Sequence, residues 1–309
     1  MSGFILTWAG ECSAWECDEL GHLNMRHYVK KFGQARKGFI IRLGLSHAFL
    51  PDTDSSVRVK DIHIRYHGEA RPGQALKIET ALIELSQSAA KLCHIMYHFD
   101  GRIAATVIET LEHIYLHGHR VFKWPDRVHV AADEFMVDMP EAVKPRNVSN
   151  DTVHVGRELT ELNELGFSHC GTGVFTAAET DVTGRVTIGS LFGRITESIT
   201  WYHNGWPELQ DPDYLGKNHS AALLEARMVI HNYAIPGQAY IFMPAIVGAD
   251  NYVRRIGQNL VDPVSGQNWA TMETAGCKFD LNTRRLMKNS DQDIADLLSR
   301  DGAIKDLQI

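Results

Sequence analysis

The sequence predicts an α+β chain made of two copies of one domain, each a long helix wrapped by a mainly antiparallel β-sheet. Three observations predict it. A nine-residue segment starting at His67 recurs at His231, each half carries one long amphipathic helix pattern, and each helix is followed by a run of strand patterns. One helix among many strands points to α+β order rather than an alternating βαβ chain.

The repeat is clearest where His67-Gly68-Glu69-Ala70-Arg71-Pro72-Gly73-Gln74-Ala75 meets His231-Asn232-Tyr233-Ala234-Ile235-Pro236-Gly237-Gln238-Ala239, with six of nine positions identical. Glu16, Asp18 and Gly21 find counterparts in Glu179, Asp181 and Gly184, and Gly101 with Ala105-Thr106 in Gly266 with Ala270-Thr271. The offset drifts only between 163 and 165 residues, no more than a short loop insertion. A period this long, met once, reads as a duplicated domain.

In chain order, Phe4–Glu11 reads as a short strand. Tyr28, Phe32, Ala35, Phe39 and Leu43 then recur every three or four residues, the apolar stripe of a helix, and Gly44 stands where a C-terminal glycine would stop it. Alternating or apolar runs at Val57–Tyr66, Leu76–Leu85, Lys91–Phe99 and Ile103–Leu116 read as strands. In the second copy Ile188, Leu191, Phe192, Ile195, Ile199 and Tyr202 form the stripe and Gly205 takes the stopping position. Pro72-Gly73 and Pro236-Gly237 suit the two central positions of a type II turn. The expected organisation is a first domain over 1–120, a connector over 121–151 with Pro125, Pro140 and Pro145, and a second domain over 152–309. It closes on a Ser290-capped amphipathic helix expected to pack on the second copy.

Composition excludes several functions. With 309 residues, 44% hydrophobic and 22% charged, the chain has ordinary globular composition. It carries 31 Lys+Arg against 38 Asp+Glu with no basic block, which argues against a nucleic-acid surface. No apolar run nears the roughly 20 residues of a membrane span, and Met1-Ser2-Gly3-Phe4 lacks a secretory pattern, so a cytoplasmic location is expected. Five scattered cysteines without C-x-x-C suggest neither disulfides nor zinc. His117-Gly118-His119 reads as a polar loop, and no metal or redox cofactor is expected. There is no G-x-S-x-G, and no P-loop Lys follows Gly171-Thr172-Gly173.

The chemistry concentrates in Trp15-Glu16-Cys17-Asp18-Glu19-Leu20-Gly21-His22-Leu23-Asn24-Met25-Arg26-His27-Tyr28. This turn enters the first helix, so Asp18 lies just before unpaired backbone N–H groups and the positive end of the helix dipole. A carboxylate there can be a base or nucleophile, and helix-start amides can hold a developing oxyanion. Asn24 could cap the helix or orient a water or the carboxylate. His22 could bond a substrate carbonyl or shuttle a proton.

The pattern D-x-x-G-H-[hydrophobic]-N with Tyr four residues later, entering a long helix before an antiparallel sheet, resembles the hotdog-fold acyl-CoA thioesterases of the 4-hydroxybenzoyl-CoA thioesterase type. The motif lies in the first copy; the architecture extends the resemblance over nearly the whole chain. It implies two tandem hotdog domains forming an intrachain pseudo-dimer, with the Asp18 site completed by the second copy. It implies Asp18 as general base or nucleophile beside His22 and Asn24, and helix-start amides near Asn24–Met25 as carbonyl donors. Gly21, Met25, Tyr28 and Arg26 would be substrate-binding, with Gly21 letting the turn approach the ligand. The expected reaction is hydrolysis of an acyl-CoA or acyl-carrier thioester, coenzyme A being part of the substrate and not a cofactor. The expected partner is thus a small-molecule thioester, and chains could assemble further as homo-oligomers. Alternatives are a hotdog enoyl-thioester hydratase or dehydratase, although the D-x-N-P-x-H form is absent, and a non-catalytic acyl-thioester binding or regulatory module.

The second copy keeps Asp181 and Gly184 but carries Arg185 and Thr187 in place of His22 and Asn24. Intact chemistry is therefore expected on the first copy only. His67 and His231 share one position and suggest a structural hydrogen bond. Arg26, Lys30 and Lys37 could meet coenzyme A phosphates or form a solvated helix face. Glu109 and Glu112-His113 read as ladder-edge polar groups, and Cys12 and Cys17 lack an identifiable partner for nucleophilic chemistry.

Overall fold

The computed structural model describes residues 3–151, 153–207, 219–300, 303–304 and 307. The chain divides into two compact units, Met1–Pro145 with Thr180–Phe192, and Arg146–Glu179 with Gly193–Ile309. Among the described residues no helix is long and apolar enough to cross a membrane.

In the first unit, strands β1 (Ile5–Glu11), β2 (Ser55–Tyr66), β3 (Ala75–Leu85), β4 (Ala89–His98) and β5 (Ile103–Tyr115) form an antiparallel sheet in the order β1-β3-β4-β5-β2, with short β6 (Arg120–Val121) on β5. Helix α1 (Met25–Arg42) lies against β1 and β3. Its apolar stripe is what the sequence spacing predicts, and Tyr28, Val29, Phe32, Ala35, Phe39 and Ile40 are all buried. Asn24 caps its N-terminus by accepting the Arg26 amide at 3.1 Å. At the other end Gly44 takes φ 103°, and the Leu45 amide donates back to Ile40 at 3.1 Å, a Schellman-type stop that only glycine adopts easily. The sheet's other face is covered by the segment after α2 (Asp126–Phe135): Val143 joins Ala81, Cys93, Ile95 and Ile108, with Val137 and Met139 packed on them. Fully burying one such side chain contributes about 1.5–3 kcal/mol.

In the second unit, β7 (Gly171–Val174), β8 (His219–Ile230), β9 (Ala239–Ala249), β10 (Arg254–Val261) and β11 (Asn268–Asp280) take the order β7-β9-β10-β11-β8, with β12 (Arg285–Met287) on β11. This is the strand order of the first unit, antiparallel throughout. Both Pro-Gly turns have the predicted form, with φ 79° at Gly73 and 89° at Gly237. Short α3 (Leu159–Glu164) sets Leu162 against Met243, Ala245 and Val261. Ser290 accepts the Asp293 amide at 3.1 Å to cap α5 (Asp291–Leu298), which packs through Leu297 beside Ile246 and Ile256.

The second long helix is shorter than its stripe suggests. Helix α4 (Ile188–Ser198) tightens into a 3-10 turn over Ile199–Trp201, where two β-branched residues in succession weaken the α-helix. Gly205 consequently does not stop it and takes no left-handed conformation. Its missing side chain serves packing instead, since a Cβ there would lie 2.6 Å from the Tyr202 ring.

Candidate active site

A single turn carries the motif. After β1 a 3-10 turn (Ala14–Glu16) leads into Cys17, which bridges Leu23 in antiparallel fashion, so residues 18–22 form a closed loop immediately before α1. The Asp18 amide donates to the His22 carbonyl at 2.8 Å and the Gly21 amide donates to the Asp18 carbonyl at 3.0 Å. Gly21 sits at φ 73°, so its glycine is required by the turn itself. Oδ1 of Asp18 accepts the amides of Leu20 at 3.0 Å and His22 at 3.1 Å. One carboxylate oxygen is thereby fixed by backbone, and Oδ2 takes neither bond.

The second copy shows which part of this belongs to the fold. Oδ1 of Asp181 accepts the Thr183 amide at 2.9 Å and hydroxyl at 2.6 Å, the Gly184 amide donates to the Asp181 carbonyl at 2.9 Å, and Gly184 takes φ 68°. The shared Asp and Gly build the same turn twice. His22 and Asn24 are where the copies part. His22 is buried and its Nε2 lies 3.1 Å from the Glu69 carboxylate. The Asn24 side-chain oxygen is used in capping α1, and its amide donates to the Glu16 carbonyl at 2.9 Å. Among the roles open from sequence, the cap is the one the structure displays.

The remaining predicted residues are placed as follows. Met25 opens α1, half-buried. Tyr28 is buried, and its hydroxyl accepts the Ala70 amide at 3.2 Å and donates to the Gly68 carbonyl at 3.4 Å. It braces residues 68–70 against the helix, and the Leu23 amide donates to Ala70 from the loop side at 2.8 Å. Arg26 donates through Nε to His27 Nε2 at 3.2 Å. Burial, together with the Arg26 and Lys30 cations, pushes His27 down to about 4, so it is a neutral acceptor.

Sequence reading missed the groups that hold this loop in place. Buried Lys31 donates to both Glu16 oxygens, at 2.9 and 2.6 Å, and to the Glu11 carbonyl at 2.9 Å, while lying 5.0 Å from the Trp8 ring. The counterpart pair, Arg194 with Glu179 at 2.7 Å, recurs in the second unit. The signal was available: Glu16 and Glu179 align, as do Lys31 and Arg194.

Glu109 is not an edge group, contrary to expectation. It shares the buried face with Val107 and Leu111, accepting from Arg36 at 2.7 Å and pairing with His94 Nε2 at 3.0 Å, while His94 Nδ1 meets the Thr80 hydroxyl at 2.7 Å. Burial alone would raise the Glu109 carboxyl, but Arg36 and His94 outweigh it and hold it below the usual range. Glu112 pairs with Arg58 at 2.8 Å, and His113 is buried with Nδ1 2.9 Å from the Lys123 carbonyl. His67 and His231 meet Thr106 and Thr271 hydroxyls at 3.1 and 3.0 Å, the shared hydrogen bond expected. The thiols of Cys12 and Cys17 stand 3.6 Å apart, and burial first, then Cys17, pushes Cys12 up to about 12, the opposite of an activated nucleophile. His117 lies 3.3 Å from Asp54, and no cluster suited to a metal occurs among the described residues.

The geometry thus joins a backbone-fixed carboxylate, a carboxylate-paired histidine and a helix N-terminus. The thioesterase-like superfamily matches residues 12–132, the stretch that contains this loop and α1. Two bifunctional L-carnitine dehydrogenase/betainyl-CoA thioesterases are similar over part of the chain. That of Agrobacterium fabrum is 28% identical over 38% of this chain, and that of Rhizobium meliloti 30% identical over 34%. The matches cover 24% and 20% of those proteins, so the chain spans a quarter or less of these curated relatives. Among solved structures, an acyl-ACP thioesterase from Bacteroides thetaiotaomicron has a TM-score of 0.64 at 11% identity, covering 89% of this chain and 98% of that one. A 12:0-ACP thioesterase from Umbellularia californica has a TM-score of 0.65 at 12% identity, covering 89% and 94%. Those likenesses concern the fold, and the likeness of family lies in the motif-bearing sequence, where residues 12–132 match the thioesterase-like superfamily.

Proposed function

We propose that the protein hydrolyses an acyl thioester at the Asp18 loop. The observation that carries this reading is the state of the Asp18 carboxylate, held through one oxygen by two amides at the entrance of α1. Oδ2 is left for chemistry. In this account Asp18 either takes a proton from the attacking water or attacks the carbonyl carbon to give an acyl-carboxylate that water then cleaves. The Met25 amide at the helix start holds the carbonyl oxygen as negative charge develops there. The proton reaches the departing thiolate through His22, which Glu69 orients.

The relatives named for betainyl-CoA favour coenzyme A as carrier, and the fold likeness to acyl-ACP thioesterases makes acyl carrier protein the second carrier to try. The two copies are proposed to work as an intrachain pseudo-dimer with intact chemistry only at Asp18. A different reading, a binding module without turnover, is favoured by one fact: Asp181 shows that this aspartate can serve the turn alone. Thiol release from a panel of acyl-CoAs separates them. The hydrolase reading expects release by wild type and a fall of about 10²- to 10⁴-fold in Asp18→Asn; tight binding with no release in wild type expresses the module.

A further inference from the structure

Tyr28 and Tyr66 stand edge to face, ring centroids 5.3 Å apart with planes at 80°. The Tyr28 hydroxyl is committed to Gly68 and Ala70. That of Tyr66 is closed off from solvent and has no hydrogen-bond partner among the described residues. Buried hydroxyls without a partner are uncommon and each needs a reason.

The fold does not supply one. Tyr28 and Tyr66 correspond to Leu191 and Ile230, so the second copy builds the equivalent positions from buried aliphatic side chains. The hydroxyl is therefore peculiar to the copy that carries the full motif. Burial raises the Tyr66 phenol well above its ordinary range, with Tyr28 adding to the rise, so near neutral pH it is a proton-bearing donor. Its place is equally specific. Tyr66 closes β2, two residues before the Gly68–Ala70 segment that holds Tyr28, Leu23 and, through Glu69, His22.

We propose that Tyr66 is a specificity-determining residue whose hydroxyl donates a hydrogen bond to an oxygen carried by the acyl group close to the thioester. The inference rests on the thioesterase reading above. In that reading the thioester carbonyl takes the Met25 amide, and the Tyr28 hydroxyl is occupied. The acceptor Tyr66 lacks must arrive with the rest of the acyl group, so hydroxy-, keto- or carboxy-acyl thioesters are favoured over plain alkyl ones.

The test compares wild type with Tyr66→Phe on butanoyl-CoA, β-hydroxybutanoyl-CoA, acetoacetyl-CoA and succinyl-CoA, with thermal unfolding measured alongside. The expected result is a loss of about 10- to 100-fold in kcat/KM on at least one oxygen-bearing substrate. Butanoyl-CoA should change by less than about twofold, and the melting temperature should not fall, because the removed hydroxyl bonds nothing in the free protein. Equal losses on all four substrates, no loss on any, or a melting temperature lowered by several degrees would each overturn the assignment. If wild type cleaves none of them, the thioesterase reading fails separately. Calorimetric binding of the same four compounds then decides for Tyr66, selective weakening in Tyr66→Phe upholding it and unchanged binding ending it.

Discussion

One oxygen of Asp18 ties the turn and the proposed chemistry calls on the other, so the two respond differently to substitution. In Asp18→Asn the side-chain carbonyl can still accept the Leu20 and His22 amides, so the fold should survive while the proposed chemistry is lost. Asn24 is the opposite case. Asn24→Ala should cost about 1 kcal/mol of stability through the lost cap, measurable by urea unfolding. His27 gives a pH test. It resists protonation until about 4 in the folded protein, whereas an unfolded histidine titrates near 6.5. Stability from keeping it neutral is thus present above about 6.5 and lost as pH falls toward 4. Wild type should lose more stability between pH 7 and 5 than His27→Gln; equal losses would show that His27 does not titrate as its surroundings dictate. At this scale the sequence showed the motif clearly, because the loop is local and its bonds run between near neighbours. Glu69 is silent because it reaches the loop only through the turn of the chain after β2, and Tyr66 because it meets Tyr28 only where β2 and α1 come together.

At the scale of elements, strands and helix starts were legible from period and caps, and the misjudged features are those decided across elements. Glu109 read as an edge residue because alternation alone cannot say which face is covered. Helix α1 covers its face, and Arg36 descends to it. Breaking this buried pair in Glu109→Ala should cost about 3–5 kcal/mol by leaving Arg36 uncompensated. The second copy places Gln258, Thr274 and Ile199 at the equivalent positions, with Gln258 donating to Thr274 at 2.7 Å. The combined change His94→Gln, Glu109→Thr and Arg36→Ile should therefore cost less than Glu109→Ala alone. Denaturant midpoints of the two variants check this, and a larger cost for the triple variant would mean that the charged network, not the packing around it, supports the sheet. The shortening of α4 was hidden for a similar reason: its apolar stripe continues past Ser198, but the backbone that carries it changes from α to 3-10.

For the whole molecule, internal likeness was the most legible feature, because His67–Ala75 and His231–Ala239 repeat the same turn and the two units repeat one strand order. That likeness also provides an internal control. Asp18 and Asp181 hold equivalent turns, the first through two amides and the second through the amide and hydroxyl of Thr183, but only Asp18 has His22 in its loop, paired with Glu69. Structural importance alone would make the two aspartates alike. The most direct measurement is thiol release from acyl-CoA substrates by wild type, Asp18→Asn and Asp181→Asn, each verified as folded by circular dichroism. The account predicts a loss of about 10²-fold or more in Asp18→Asn and activity within a few-fold of wild type in Asp181→Asn. Full activity in folded Asp18→Asn, or equal losses in both variants, would contradict it.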